Sequence, residues 1–296
     1  MLKINLEDWV LVGGGVFGNA YFHKTDDSIM LKLNKNTMSE PAEQEFELSR
    51  KVFSLGVSTP RVFELATDGT HYGYTSQRIN GKKSYSRLIA DNPEQIDAFA
   101  RRYAEQAKKL HATPCDTQQF ESYHAKCASV ISKTPFLSEP IRNHVLDVLA
   151  QIPQTTTCLH GDFQTSNLIT TGMENYWIDL GDFRYGNPMF DFTQLYFYQK
   201  YLPTAFLKYV IHLNRKQMKS FYKSLYKYYF GADGETEAVK HLLAQTAYVR
   251  VMVMATSKSN KLLATILLPI AQKQLGEKST SRLRILFRLL LGKAAI

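Results

Sequence analysis

Hydrophobic patterning changes near residue 80, and this change limits the folds open to the chain. Before it, short apolar runs separated by turn residues predict β-strands at 9–12, 20–23, 29–33, 61–66 and 72–79. One helix interrupts them; Ser39 is predicted to cap it and Gly56 to end it. Beyond residue 80, helical spacing dominates, apart from a strand-rich segment at 158–179. We predict the α+β class, with a small antiparallel β domain over 1–80 and a larger, mostly helical domain over 81–296.

The net charge of +9 is distributed unevenly along the chain. Residues 1–204 contain 20 Lys/Arg and 23 Asp/Glu, whereas residues 205–296 contain 16 Lys/Arg and 4 Asp/Glu. A basic protein often binds nucleic acid or an anionic membrane. Here the excess positive charge is confined to the last third of the chain. Net charge is the only feature that favours a nucleic-acid partner, so we expect no such partner.

Cysteine content and apolar run length indicate the compartment. Cys115, Cys127 and Cys158 are too few and too scattered for a disulfide scaffold, so we expect reduced thiols. The first residues include acids where a signal peptide needs an apolar run. The longest uncharged apolar stretch, 262–271, is about half of the roughly 20 residues that cross a membrane. We predict a cytoplasmic protein with no transmembrane segment.

A glycine-rich segment follows the first apolar run, with Gly13, Gly14, Gly15 and Gly18 in a Gly-x-Gly-x-x-Gly pattern. A dinucleotide-binding fold would need a helix directly after the glycines, but residues 19–33 are typical of a hairpin. A Walker-type loop would need Gly-Lys-Ser/Thr, but Asn19 and Ala20 follow Gly18. A glycine-rich hairpin that covers nucleotide phosphates fits strand, loop and strand.

A second group of polar residues lies between short apolar strands. Asp162 is followed by Asn167 after five residues and by Asp179 after twelve more. This spacing can bring a carboxylate, an amide and a second carboxylate to one point, which phosphoryl transfer from ATP requires. One acid accepts the proton of a hydroxyl nucleophile, and the other two side chains offer hard oxygen ligands that suit Mg²⁺.

These residues carry a family resemblance. The motif His160-Gly161-Asp162-x-x-x-x-Asn167, followed by Ile178-Asp179-Leu180-Gly181, resembles the signature of the aminoglycoside phosphotransferase and choline kinase-like family, relatives of the protein kinases. The segment 186–191 resembles the family's Gly-x-Pro-x-x-Asp pattern, and the similarity covers roughly residues 10–200. It implies a two-lobed protein-kinase-like fold and transfer of the γ-phosphoryl group from ATP, with Mg²⁺, to a hydroxyl of a small molecule.

The resemblance assigns a role to each matching position. Asp162 corresponds to the catalytic base, and Asn167 and Asp179 to the metal ligands. Lys32 corresponds to the lysine that contacts the α- and β-phosphates. Its ion-pair partner on the following helix is taken as Glu45, although the neighbouring acids Glu43 and Glu47 stay open.

Further positions have supporting roles under the same resemblance. The glycines of the hairpin cover the phosphates, and Gln77 to Ile79 form the hinge beside the adenine. Asp191 corresponds to a buried aspartate that braces the catalytic loop. From the residues themselves, we expect His160 to pack and hydrogen-bond rather than act as a base, and His111 to cap the end of its helix.

The basic last third bears on the acceptor. Lys216, Lys219, Lys223 and Lys227 recur at helical spacing and predict one solvated face. The basic amphipathic segment at 279–293 is expected to pack on the helical domain rather than rest on a membrane surface. The family resemblance implies that the C-terminal domain forms the acceptor pocket. Polycationic acceptors need acidic pockets, so this charge favours a neutral or anionic acceptor.

Two other functions stay open. A protein Ser/Thr kinase-like enzyme is disfavoured, because His-Gly-Asp replaces His-Arg-Asp and Asp-Leu-Gly replaces Asp-Phe-Gly. A nucleotide-binding pseudokinase or scaffold would lack activity, yet the residues that the chemistry needs are all present. ATP-binding and phosphotransferase activity are therefore the preferred prediction.

Overall fold

The computed structural model describes residues 1–14, 18–135 and 137–257. Gly15 and the basic segment 279–293 lie outside this part of the chain, as does the end of the predicted helical domain. Within the described residues, no helix is both long and apolar enough to cross a membrane.

The N-terminal part is one six-stranded sheet with a helix beside it. Its strands are β1 (Leu2–Lys3), β2 (Trp9–Gly14), β3 (Gly18–His23), β4 (Ile29–Asn34), β5 (Val62–Thr67) and β6 (Tyr72–Gln77), and its helix is α1 (Glu40–Ser54). The order across the sheet is β1-β5-β6-β4-β3-β2, antiparallel except for the β1–β5 pair. The sheet and its helix confirm the predicted N-terminal arrangement. Strand β1 was not predicted from the sequence.

The centre of this sheet is closely packed at one glycine. Gly73 on β6 faces Lys32 and Leu33 on β4, and a Cβ at this position would lie 1.8 Å from the Lys32 carbonyl oxygen. Only glycine allows this approach. Leu31 and Leu33 point into the core from β4, while Lys32 between them faces the other side of the sheet.

The rest of the described chain is mainly helical. It contains α2 (Tyr85–Asp91), α3 (Ile96–Ala112), α4 (Tyr123–Lys133), α5 (Glu139–Gln151), α6 (Met189–Tyr201), α7 (Thr204–Ile211), α8 (Arg215–Phe230) and α9 (Glu237–Ser257). Five short strands lie among them: β7 (Lys83–Ser84), β8 (Cys158–Leu159), β9 (Leu168–Thr170), β10 (Asn175–Trp177) and β11 (Arg184–Tyr185). The α+β class is therefore confirmed, with a β-sheet region followed by a helical one.

Two apolar clusters stabilise the helical part. One surrounds Tyr103 on α3, whose ring makes edge contacts with those of Tyr85, Phe163, Trp177 and Phe221. The other joins α4, α5 and α9. Both clusters include apolar residues of the 158–191 segment, so the polar residues of that segment are supported by packed neighbours. The four lysines predicted on one face of α8 are all exposed, opposite the buried Phe221 and Leu225.

The start of α1 differs from the prediction. Ser39 precedes the helix, but its φ of −76° and ψ of −36° are already helical and its side chain makes no capping hydrogen bond. A capping hydroxyl reaches the free amides from an extended backbone, which Ser39 does not have. The main-chain carbonyl of Ser39 instead accepts hydrogen bonds from Ala42 and Glu43.

Candidate active site

Lys32 joins three parts of the fold. Its Nζ lies 2.5 Å from Oε1 of Glu45 on α1 and 3.1 Å from Oδ1 of Asp179, which follows β10. Tyr74 on β6 donates a hydrogen bond to the same Glu45 oxygen at 3.1 Å. Burial disfavours the ammonium, but attraction from Tyr74, Asp179 and Glu45 outweighs it and raises the pKa of Lys32. The lysine is therefore a fixed cation at physiological pH.

The structure distinguishes the three acids of α1 that were candidates to pair with Lys32. Glu45 contacts Lys32, Glu43 is exposed, and Glu47 pairs with Arg50 at 2.8 Å. Only Glu45 points toward the sheet, because a helix turns each successive side chain by about 100°.

A cavity of about 410 Å³ opens beside Lys32. Residues of the N-terminal sheet line one side of the cavity. The other side is lined by Ile169 on β9 and by Ile178, Asp179 and Leu180, which follow β10. Gly13, Gly14 and Gly18 line it, as does Ile79. Gln77 is not among the described lining residues; its side-chain oxygen accepts a hydrogen bond from the Arg61 amide at 3.4 Å. The apolar walls and the two lysines that line the cavity, Lys32 and Lys82, suit a ligand with a flat apolar part and an anionic part.

The loop after β8 is held from below by Asp191. This buried carboxylate accepts main-chain hydrogen bonds from His160 at 2.8 Å and Gly161 at 3.0 Å, and a side-chain bond from His111 at 3.1 Å. Burial alone would raise the pKa of Asp191, but the hydrogen bonds from His111 and His160 and the electrostatic influence of the two histidines lower it. His111 is thus a buried partner of Asp191, not the predicted helix cap, because its ring turns inward to Asp191 and Tyr229.

Gly161 fits a position that other residues cannot occupy. Its φ is +81°, and a Cβ there would lie 1.9 Å from the carbonyl oxygen of Asp182. The side chain of His160 packs against Trp177 and donates a hydrogen bond to the Ile178 carbonyl at 3.0 Å. The loop therefore lies directly against the strand segment that carries Asp179.

Asp162 is surrounded by side-chain amides. Asn167 donates to its Oδ2 at 2.8 Å and Gln164 donates to the same oxygen at 2.9 Å, while Gln194 donates to Oδ1. Asn167 also donates to the Asp162 carbonyl at 3.0 Å. The motif spacing thus closes a tight loop in which the Asp162 carboxylate is oriented from several sides.

Asn167 and Asp179 are brought together by a main-chain hydrogen bond. The amide of Ile178 donates to the Asn167 carbonyl at 2.9 Å. The Asn167 side-chain oxygen accepts only a long bond from Ser166, at 3.3 Å, among the described residues. Asp179 is exposed and has the left-handed φ of 63°. These two hard oxygen donors fit Mg²⁺, which uses one or two protein side chains and completes its shell with phosphates and water.

No group of three His, Cys, Asp or Glu suited to a metal occurs in the described part of the chain. A transition-metal centre built by the protein alone is therefore not found there. The donor set instead fits an ion that arrives together with an anionic ligand.

Sequence reasoning missed two polar residues near Asp162, of which the first is buried and the second partly buried. Gln194 lies three residues after Asp191 on α6, and Arg250 lies on α9 within an otherwise apolar stretch. Spacing from Asp191 by one helical turn could have indicated the first. A lone cation among valines and methionines could have indicated the second.

A family comparison matches most of the chain. The model of the phosphotransferase enzyme family, abbreviated APH, matches residues 8–222. The chain belongs to this family. Membership identifies it as a phosphotransferase and confirms the resemblance seen in the motifs. No curated protein matches the chain in sequence.

Solved structures of phosphotransferases share the fold. Aminoglycoside phosphotransferase APH(4)-Ia matches with a TM-score of 0.62 and 12% identity, over 92% of this chain and 94% of its own. The gentamicin complex of APH(2")-IIa gives 0.56 and 17%, over 94% and 98%. A choline/ethanolamine kinase family protein from Mesorhizobium loti gives 0.56 and 14%, over 93% and 90%. At such identities the similarity extends to the fold alone.

Proposed function

We propose that this phosphotransferase moves the γ-phosphoryl group of ATP, with Mg²⁺, to a hydroxyl of a small molecule. The observation that carries the proposal is the contact of Lys32 with both Glu45 and Asp179 at the edge of one cavity. A fixed cation beside an exposed carboxylate suits the polyphosphate of a nucleotide and its metal ion. The related fold of APH(4)-Ia is known with ADP and hygromycin B bound, which supports nucleotide use.

In this proposal the two predicted lobes, 1–80 and 81–296, share the nucleotide. The sheet contributes the glycines and Lys32, and the helical part contributes Ile178 and Asp179. Lys32 neutralises phosphate charge, and Glu45 keeps its ammonium in place. Ile79 and the apolar walls enclose the base, with Gln77 to Ile79 as the connecting segment.

Asp162 is the proposed base. Its carboxylate is oriented by side-chain amides, and a carboxylate held in this way can serve as the acceptor for the proton of a hydroxyl. Asp191 supports the loop by binding the amides of His160 and Gly161. Asn167 and Asp179 would hold Mg²⁺, which when bound neutralises phosphate charge as the leaving group departs.

We also propose that the acceptor is neutral or anionic. Asp182, an exposed acid beside Gly161, already pairs with Lys126 at 3.0 Å and Arg184 at 3.2 Å. Its charge is therefore neutralised within the protein. The described residues around the loop thus offer little negative charge to an acceptor with several amino groups.

The test is a screen for ATP consumption over sugars, amino alcohols and aminoglycosides, with wild type, Asp162→Ala and Asp179→Ala in parallel. We expect turnover with at least one alcohol and loss of about 10²–10⁴-fold in Asp162→Ala. Full activity in both variants would contradict the site. Preferential turnover of aminoglycosides would contradict only the charge of the acceptor.

A further inference from the structure

Gln194 connects Asp162 to a partly buried arginine, Arg250. Its Nε2 donates hydrogen bonds to Oδ1 of Asp162 and, at 3.2 Å, to the hydroxyl of Tyr198. Its Oε1 accepts a hydrogen bond from Nη2 of Arg250 at 2.5 Å. Gln194 is itself buried on α6. Both amide hydrogens and the amide oxygen are therefore occupied.

Arg250 is held in one place by three neighbours. Besides Gln194, its Nη1 donates to the Phe190 carbonyl at 3.1 Å and to the Tyr123 hydroxyl at 3.3 Å. Burial would lower its pKa, but Tyr123, Tyr198 and the nearby carboxylates of Asp191 and Asp162 raise it, so the charge persists. In the described chain it makes no direct carboxylate ion pair. Removing a guanidinium from water, even in part, costs free energy, so its hydrogen bonds to these neutral partners indicate a positional role.

The arginine fixes which way the amide points. A guanidinium only donates hydrogen bonds, so the Gln194 oxygen must face Arg250 and the nitrogen must face Asp162. The reversed amide would bring two oxygens together at Asp162 and two donors together at Arg250. Arg250 therefore sets the direction of the donor that reaches the carboxylate.

The Asp162 carboxylate has one lone-pair site without a donor among the described residues. A carboxylate has about four lone-pair sites, two on each oxygen. Among the described residues, Gln164 and Asn167 occupy Oδ2, and Gln194 occupies one site on Oδ1. One site remains, and it is on Oδ1.

We infer that Oδ1 of Asp162 is the atom that accepts a hydrogen bond, and then the proton, from the acceptor hydroxyl. Gln194, whose amide is oriented by Arg250, is the positioning residue for that oxygen. This inference rests on the proposed function. It also extends the active site to α9, because Arg250 lies on that helix. This part of the chain is beyond residues 8–222, which the family model matches.

The test uses the full-length protein and Mg·ATP with water as the acceptor, so that no alcohol needs to be known. Gln194→Met keeps the length of the side chain and removes both hydrogen-bonding groups. We expect kcat for ATP hydrolysis to fall on the order of 10²-fold, as small displacements of catalytic groups do, with KM for ATP and calorimetric ADP affinity unchanged. Wild-type kcat in Gln194→Met, or a loss confined to KM, would overturn the inference.

The matched control is Gln245→Met. Gln245 is a buried glutamine on α9 that donates to Gln151 at 2.9 Å, outside the proposed machinery. The Gln245→Met variant loses a buried amide of the same kind, but this amide has no contact with Asp162. We therefore expect its kcat to stay at the wild-type value. An equal fall in kcat in this variant would show that any buried amide has the same effect, and would overturn the assignment to Gln194.

Arg250 is tested through a double-mutant comparison. If it acts through Gln194, Arg250→Met and the double variant with Gln194→Met have the same kcat as Gln194→Met alone. Arg250→Lys, which retains a donor, recovers part of the rate and is the variant to use if Arg250→Met does not fold. Additive losses would overturn the role of Arg250.

Asp162→Ala separates this inference from the proposed function. Unchanged hydrolysis in Asp162→Ala contradicts the proposed function itself. Loss in Asp162→Ala with wild-type kcat in Gln194→Met contradicts only the positioning role.

Discussion

Nζ of Lys32 lies 3.1 Å from Oδ1 of Asp179, although the two residues are 147 positions apart. The contact joins the N-terminal sheet to the segment that follows β10. The lysine and the proposed metal-ligating carboxylate are thus adjacent. The ion pair with Glu45 holds the lysine from the other side.

Replacement of Glu45 by glutamine should weaken catalysis more than replacement of its neighbours. A hydrogen bond to a charged group contributes about 1.5–3 kcal/mol, so we expect kcat/KM for ATP to fall on the order of 10- to 10²-fold in Glu45→Gln. Glu43→Gln and Glu47→Gln lie on the same helix without contacting Lys32 and should resemble wild type. A larger fall in kcat/KM in Glu43→Gln or Glu47→Gln would mean that this other acid pairs with Lys32 in solution. Steady-state kinetics of ATP consumption measures all three.

Removal of divalent metal should abolish turnover, and Asp179→Asn should raise the Mg²⁺ concentration that half-maximal activity needs. The reason is that a carboxylate binds Mg²⁺ more strongly than an amide. Asp182→Asn is the matched control, because Asp182 is similarly exposed but pairs with Lys126 and Arg184. Mg²⁺ titrations of ATP consumption give the comparison. An equal shift in Asp182→Asn would place the ion elsewhere.

The sequence was most informative where chemistry depends on local spacing. The order of strands and helices follows from apolar periodicity, and the Asp162 to Asn167 spacing closes a loop whose contacts are local. The sequence favours Glu45 but leaves Glu43 and Glu47 open, because tertiary packing decides which face of α1 meets the sheet.

Residues that act across long separations were missed for a related reason. Gln194 and Arg250 are 56 positions apart, and no motif links them. Strand β1 is only two exposed residues long and depends on parallel pairing with β5, so its own pattern is too short to predict a strand. Ser39 has a favourable residue type for a cap, but the observed backbone directs its hydroxyl elsewhere.

Alkaline pH should destabilise the protein through Cys127. Burial raises the pKa of this thiol from 9.0 to about 12. The unfolded chain therefore releases the proton first, and the contribution of the neutral buried thiol is complete below pH 9 and is lost as pH rises toward 12. We expect the stability difference between wild type and Cys127→Ala to shrink from about pH 7 to about pH 10, as measured by urea unfolding.

Val145→Ala serves as the control for this pH dependence. Val145 lies in the same buried cluster as Cys127 and carries no titratable group. Its stability difference from wild type should stay constant over the same range. A constant difference for Cys127→Ala would show that the thiol is accessible to solvent.

Removal of one hydroxyl should stabilise the helical part. The Tyr103 hydroxyl is buried and has no hydrogen-bond partner among the described residues, although its ring contacts four aromatic neighbours. An unpaired buried hydroxyl costs about 1–3 kcal/mol, so Tyr103→Phe should raise the free energy of unfolding by about 1 kcal/mol while the ring contacts remain. Tyr85→Phe is the paired control, since the Tyr85 hydroxyl donates to Asn175 at 2.8 Å and its loss should lower stability by about 1 kcal/mol. Urea unfolding of the two variants should therefore give shifts of opposite sign, and a decrease for Tyr103→Phe would mean that a buried water or another donor satisfies its hydroxyl.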